Sequence, residues 1–401
     1  MKTFDVAVLG VGGIGSAACY HLARTGLRVV GIEQFSIPHS RGSSHGVTRI
    51  LREGLHENET YVPLVRRALE LWHELEKISG AQLFYRTGSL DIGLPDSSVV
   101  TGSLNSCRRW NISHEVFNAS ELRRLYTVLR PYDEMVAIFQ PNSGFVLAEG
   151  SITAHVNGAC DHGAEIHGHE KMIRWDANGS GYTIQTTHER YEVGQVVFTT
   201  GAWASKLAAH GIRVRPERAV LGWFQPKKNA ALFGVGSLPV WIIDSPVGGH
   251  FYGLPIFGIP GFKLGRLSRD LGEVDPDVPL AEPDSRDEQD LRQFLEKHFP
   301  DANGPLLSLQ TALFEHSPDR HFIIDQLADF PGAWVIAGLS GHGFKYASAL
   351  GELAKDLVMQ RKSGYDLSPF VWVGSDRWKL LVAGCGLVGC ANWSYRRFDV
   401  A

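Results

Sequence analysis

The stretch Val6-Ala7-Val8-Leu9-Gly10-Val11-Gly12-Gly13-Ile14-Gly15 decides the fold. A short apolar run, fit for a buried strand, enters a glycine turn, and a helical stretch follows from Ser16 to about Thr25. A second apolar run, Val29-Val30-Gly31-Ile32, ends at Glu33, which lies 18 residues after Gly15. Each residue type has a mechanical job in holding a dinucleotide. Gly10 permits the tight turn, Gly12 lets a pyrophosphate approach the backbone, and Gly15 lets helix and strand pack closely. Gly13 and Ile14 open the helix, whose N-terminus offers free N–H groups and a partial positive charge to phosphates. Glu33, followed by Gln34, is placed to accept hydrogen bonds from ribose hydroxyls, which disfavours a 2′-phosphate. The triplet by itself does not separate FAD from NAD.

The remainder of the chain narrows that choice. A buried strand ending in small residues is expected at Gln195-Val-Val-Phe-Thr-Thr-Gly201-Ala-Trp203, suited to approach the same cofactor. Another glycine turn, Gly338-Leu-Ser-Gly341-His-Gly343-Phe344, stands between the apolar run from Trp334 and a helix reaching about Met359. Two such turns, more than 300 residues apart, can converge on one large cofactor, which favours FAD. Helical spacing of Val62, Val65, Leu69, Trp72, Leu75 and Ile78 predicts a helix from Tyr61 to about Lys77, with Pro63 in its first turn and Gly80 at its end. Shorter helices are expected at Ser120–Tyr126 and Asp287–Phe299, and an antiparallel sheet from about Val214 to Leu309.

The resulting fold class is α/β (α+β overall): a Rossmann-like FAD-binding domain with an interleaved antiparallel-sheet substrate domain. The FAD-binding domain is assigned residues 1–85, 145–212 and 320–372, and the substrate domain 86–144 and 213–319. The segment 373–401, with Cys385 and Cys390, is a tail that fits neither.

Bulk properties exclude several classes. The 401 residues suffice for about two domains with substantial cores. A net charge of −4 gives no reason to propose nucleic acid or an anionic membrane as partner. No apolar run approaches the ~18 residues a bilayer span requires, and the N-terminus runs straight into a strand without a signal-peptide pattern. Five scattered cysteines argue against a disulfide framework, so the cytoplasm is the expected compartment. No metal-ligand spacing is present, so no metal is expected.

At Gly42-Ser43-Ser44-His45-Gly-Val-Thr48-Arg49-Ile-Leu-Arg52 and Gly338-Leu-Ser-Gly-His-Gly-Phe-Lys345, the chain closely resembles the monomeric sarcosine oxidase and N-methyltryptophan oxidase family. The likeness continues through Tyr61-Val-Pro-Leu, Leu71-Trp-His-Glu-Leu-Glu-Lys77, Gly201-Ala-Trp203, Tyr252-Gly, Lys263-Leu-Gly265 and His321-Phe-Ile-Ile-Asp325. It spans residue 3 to about 370. The resemblance implies a flavoenzyme, expected as a monomer, that oxidises the C–N bond of N-alkyl amino acids and passes electrons to molecular oxygen. It implies that Arg52 and Lys345 clamp the substrate carboxylate, a planar fork beside a point charge. Lys263 matches the oxygen-activating lysine, held over the flavin so that its ammonium stabilises developing superoxide charge. Arg49 is expected against the isoalloxazine ring, and His45, Thr48, Ser43 and Ser44 along the flavin. Tyr252 matches an active-site tyrosine. Gly341 and Lys345 are expected to serve both flavin and substrate, and Gly343 and Phe344 the flavin. His321 and His342 are read as structural.

The pattern also breaks. Family members attach FAD through a cysteine thirteen residues before the aspartate of Phe-Ile-Ile-Asp; counting back from Asp325 reaches Ala312. Alanine forms no thioether, so non-covalent FAD is expected. Leu267 stands where the family has a histidine, Phe314 where it has a tyrosine and Ile243 where it has a methionine. These changes imply a more apolar pocket and a bulkier carboxylated amine. Two alternatives stay open: an amine dehydrogenase using a quinone or an electron-transfer protein, and a flavin-binding protein without turnover.

Overall fold

The computed structural model describes residues 2–179, 181–246, 248–267 and 272–370; the tail 373–401 lies outside them. Three sheets organise the chain. The first has eight strands, with Lys2–Leu9 at its centre, parallel to Val29–Ile32 on one side and to Arg190–Phe198 on the other. Ala333–Ala337 continues the parallel set beside Arg190–Phe198, while Met172–Ala177 and Tyr182–Thr186 form an antiparallel hairpin at one edge. Strands of this kind are buried on both faces, which is why they read as continuous apolar runs rather than alternating ones. Val6, Ala7, Val8 and Leu9 are all buried.

The second sheet also has eight strands, in the order Leu306–His316, Arg215–Phe224, Phe262–Arg266, Gly249–Leu254, Val240–Ser245, Ser89–Gly93, Val136–Gln140 and Glu115–Asn118. It is antiparallel as expected except at one seam, where Val240–Ser245 runs parallel to Ser89–Gly93. Those two strands come from distant parts of the chain, so no hairpin turn dictates their direction. A three-stranded sheet of Thr48–Leu51, Gly144–Leu147 and Phe84–Arg86 completes the set. The expected α/β class with parallel and antiparallel sheets holds.

Helix Gly13–Ala23 is buried along its whole length, consistent with its small residues. Helix Val62–Ser79 carries Pro63 in its first turn and stops at Gly80, whose φ of 69° is left-handed. Two boundaries differ from expectation, both because a cap lies earlier. Asn118 forms a capping box with Glu121, so that helix is Ala119–Leu125; Asp284 does the same with Asp287, giving Ser285–His298. The latter helix closes a core of Trp241, Phe251, Phe294 and Phe299 on the second sheet. Among the described residues, no helix is long and apolar enough to cross a membrane.

Candidate active site

Strand Lys2–Leu9 delivers Gly10 to the mouth of a cavity of about 550 Å³. Its wall includes Gly10, Gly12, Gly13, Ile14, Glu33, Gln34, Ser43, Ser44, Arg49, Gly201, Trp203, Gly341, Gly343 and Phe344, nearly the whole expected cofactor set. The two glycine turns meet here: a Cβ on Gly13 would stand 2.8 Å from the ring of Phe344. Gly12, at the helix N-cap, brings no capping side chain, and the first turn holds no acid. Gly13 N–H donates to Ser44 Oγ (3.3 Å), and the remaining orphan N–H groups of that turn are open to an anion. Glu33 accepts from the backbone N–H of Val11 (2.9 Å) and Phe35 (3.1 Å), which fixes its carboxylate at the end of Val29–Ile32. Beside Gly10 the hydroxyl of Thr200 is buried without a partner. An uncapped helix start, a fixed acid and an orphaned hydroxyl around one long cavity fit a dinucleotide.

Gly15 does not line the cavity; it lies behind the turn, against Gly10. Thr48, Ala312 and Lys345 line a second, smaller cavity of about 80 Å³. Both cavities share Arg49, Phe314, Gly341 and Phe344, so they are neighbours across one partition. Arg52, Tyr252 and Leu267 complete the second wall. Ile243 is a correction: its side chain is buried in the aromatic core of the second sheet, and Ile242 lines the cavity. Side chains alternate along a strand, so a shift of one residue changes the face.

Arg52 and Lys345 converge. Arg52 Nη2 lies 2.8 Å and Lys345 Nζ 3.1 Å from the same atom, Oε1 of Glu57. Arg52 Nη1 reaches Asp91 Oδ2 at 3.1 Å, and that oxygen also accepts from Ser103 and Gln140. Arg52 is 1% exposed, so its charge is held by these partners and not by solvent. Burial opposes the charge of Glu57, yet Arg52, His56 and Lys345 outweigh it and hold the carboxyl well below the usual range. Burial pulls Lys345 down to about 8 against the attraction of Glu57. Glu57 and Asp91 went unread in the sequence. The signal available was stoichiometric, since two buried cations need buried anions.

Lys263 lines neither cavity. Its Nζ donates to Gly46 O (2.6 Å), Thr48 O (2.9 Å) and Thr48 Oγ1 (3.1 Å), with the Trp223 ring 5.4 Å away. Burial, then Arg49, pull its pKa well below that of an ordinary lysine. Glu149, another residue without a sequence motif, holds the same loop from the other side by accepting from the N–H groups of Gly46 (2.7 Å) and Val47 (3.0 Å). The loop needs both grips, because Val47 sits at φ 71°, a costly region for a β-branched residue. Arg49 donates to the carbonyls of Thr48 (2.9 Å) and Ser43 (2.6 Å), which aims its guanidinium along the partition.

His45 is buried with Nε2 unpartnered, and burial followed by Arg49 pulls it to about 3, so the ring is neutral. His321 shares a 3.0 Å hydrogen bond with the hydroxyl of Tyr61 and is structural, as expected. His342 is not the satisfied histidine expected of it: its Nδ1 is buried without a partner and it lines the smaller cavity. Glu315, also unread, lines the larger cavity 3.4 Å from Ser43 Oγ, and burial pushes it up to about 7.

This architecture has known counterparts. Residues 5–357 match the family described as FAD dependent oxidoreductase (DAO), and the chain belongs to it. Over 372 residues it is 35% identical to the monomeric sarcosine oxidase of Streptomyces avermitilis, covering 92% of this chain and 97% of that one. Over 371 residues it is 31% identical to the N-methyl-L-tryptophan oxidase of Salmonella dublin, covering 92% and 98%. The protein is thus an FAD-dependent amine oxidoreductase of the sarcosine oxidase type. Two solved structures share the fold. NikD, an unusual amino acid oxidase, superposes with a TM-score of 0.80 at 22% identity, covering 92% of this chain and 98% of that one. L-proline dehydrogenase from P. horikoshii gives 0.79 at 22%, covering 94% and 98%.

Proposed function

We propose that the chain oxidises a secondary amino acid, N-alkyl or cyclic, and uses molecular oxygen as acceptor. One observation carries this: Arg52 and Lys345 aim at a single carboxylate oxygen, in a cavity that shares a partition with the dinucleotide site. FAD held there would supply two-electron chemistry, with hydride taken from the carbon next to nitrogen and both electrons passed to oxygen, so that hydrogen peroxide and an imine hydrolysed by water would be the products. The chain's own residues bind and orient. Arg52 and Lys345 hold the substrate carboxylate, while Phe314, Leu267, Ile242 and Tyr252 enclose its body. Burial pushes the Tyr252 hydroxyl up to about 12, so it remains a donor throughout the neutral range. Gly341, left-handed at φ 82°, lies against the Phe314 ring, from which a Cβ would stand 3.4 Å. A site of this kind works by positioning, with the amine bound neutral and no strong base required.

The same site supports non-covalent FAD. Ala312 lines the smaller cavity, and no cysteine lines either one. Acid precipitation of the purified protein should leave the yellow colour in the supernatant; a yellow pellet would contradict the argument from Ala312.

A dehydrogenase that hands electrons to a quinone or a protein acceptor is favoured by one observation. All three N–H bonds of a charged Lys263 are already directed at Gly46 and Thr48. Stopped-flow reoxidation by oxygen, with Lys263→Met beside the wild type, separates the two. The oxidase reading expects the variant to slow by about 10²–10³-fold, the usual cost of one preorganised charged donor. Equal rates, both no faster than free reduced flavin, would leave the dehydrogenase.

A further inference from the structure

Arg52, Lys345 and Glu57 line the smaller cavity beside Arg49, and Asp91 backs Arg52 from outside that lining. Within the ion-paired cluster of Arg52, Lys345, Glu57 and Asp91 the formal charges cancel. A substrate carboxylate brought to Arg52 and Lys345 adds one negative charge to that balanced cluster in a poorly solvated place. It also meets a competitor, because Glu57 Oε1 occupies both cations. Glu57 therefore has to leave them, and its other oxygen indicates where it can go. Oε2 of Glu57 is buried without a hydrogen-bond partner, and so is Nδ1 of His56, at 3.7 Å. The His56 side chain is 8% exposed and lines the cavity. Two orphaned polar atoms thus face each other just beyond hydrogen-bond distance. A proton on the ring and a small turn of the carboxylate make them an ion pair.

We propose that His56 is a positioning residue that receives Glu57: the substrate carboxylate replaces Glu57 on Arg52 and Lys345, Glu57 turns onto His56, and the imidazole takes up one proton. This rests on the carboxylate-binding role given above to Arg52 and Lys345. Proton and charge balance together, because the cluster stays neutral when one carboxylate and one proton enter. The surroundings set the direction of the pH dependence. Burial, opposed by Glu57 and reinforced by Arg52, Lys345 and His250, pulls the ring of His56 down to about 3 while Glu57 stays on the clamp. His250 stands 6.4 Å from it, ring to ring, and is paired with Asp244, while His342 faces Glu57 from the glycine turn. With Glu57 turned to the ring and the two cations covered by substrate, attraction grows and repulsion falls, so the pKa of His56 rises on binding. Affinity should then strengthen about tenfold for each pH unit that the pH falls between the free and bound values. A zwitterionic amino acid carries the proton in on its own ammonium. A carboxylate lacking an amine must draw it from solvent.

Titration calorimetry of the holoenzyme with phenylacetate, at about pH 6.5 in two buffers of different ionisation enthalpy, reads that proton directly. At this pH Lys345, pulled down only to about 8, keeps its charge. The wild type should take up about one proton per phenylacetate bound. His56→Gln should take up none and bind at least ~10-fold more weakly. Glu57→Gln, which leaves no carboxylate to rehouse, should take up none and bind more tightly. An uptake near zero in the wild type, or one unchanged in either variant, overturns the proposal with the clamp intact. Binding of phenylacetate that Lys345→Met does not weaken, or no binding at all, overturns the clamp itself and the proposal with it.

Discussion

Replacing Arg52 by methionine is expected to destabilise the protein by about 3–5 kcal/mol and to lower kcat/KM by on the order of 10²–10⁴-fold. The two losses have separate causes. Arg52 is 1% and Asp91 0% exposed, so removing the guanidinium leaves a buried carboxylate with only Ser103 and Gln140 as partners. Breaking one side of a buried pair costs far more than the pair contributes, because the remaining charge has lost its compensation. The activity loss arises on the other side of the guanidinium, where Nη2 and Lys345 converge on one carboxylate position. Adding Asp91→Asn should separate the effects. The double variant should recover most of the stability, since a neutral amide still accepts from Ser103 and needs no cation, while kcat/KM stays low. Urea unfolding and steady-state kinetics on both variants check this, with flavin absorbance confirming that the larger cavity is intact. A single variant as stable as the wild type, or a double variant with restored turnover, would refute the assignment of two roles to Arg52.

How far the sequence carried the argument depended on whether a feature is local. The strand, turn, helix and strand from Lys2 to Glu33 were legible because each residue acts on its immediate neighbours, through φ, close approach or apolar periodicity. Arg52 and Lys345 were legible through motifs. Their carboxylate partners were not, because Glu57 and Asp91 reach the site from a loop and from the far sheet, with nothing in their flanking residues to mark them. The same holds for Glu149, which lies 103 positions along the chain from Gly46, whose loop it holds. Ile243 shows a different limit. A position taken from a family pattern can be one residue out, and on a strand that is enough to move a side chain from cavity to core. Helix starts failed more gently, since Asn118 and Asp284 both carry the capping-box pattern and could have been found by looking one turn earlier.

The glycine turn itself yields the second large effect, and it comes as a contrast between two glycines. Alanine at Gly15 should cost both folding stability and FAD, whereas alanine at Gly12 should cost FAD alone. A Cβ on Gly15 would stand 1.8 Å from Gly10 O and 2.7 Å from Thr199 Oγ1. Backbone cannot yield there as a side-chain tip would, because Gly10 N is bonded to Ile32 O and Thr199 N to Leu9 O, both within the sheet. The helix must move off the strand, at or above the ~1–3 kcal/mol typical of overpacking, and the cradle for the phosphates moves with it. Gly12 differs in both space and conformation. Its φ is −82°, open to any residue, and a Cβ there meets nothing of the protein closer than Ser44 Oγ at 3.9 Å. Substitution should therefore leave the apoprotein at wild-type stability or up to ~1 kcal/mol above it, through the lost entropy of the unfolded chain. The added methyl group instead projects into the cavity where a pyrophosphate has to approach the backbone, and FAD affinity should fall by on the order of 10²-fold. Thermal melts of both apoproteins and fluorescence titration with FAD measure the two quantities independently. If Gly12→Ala binds FAD as tightly as the wild type, the phosphates do not lie on this turn. If Gly15→Ala melts with the wild type, the close packing of Gly15 on Gly10 is not what sets the position of the helix.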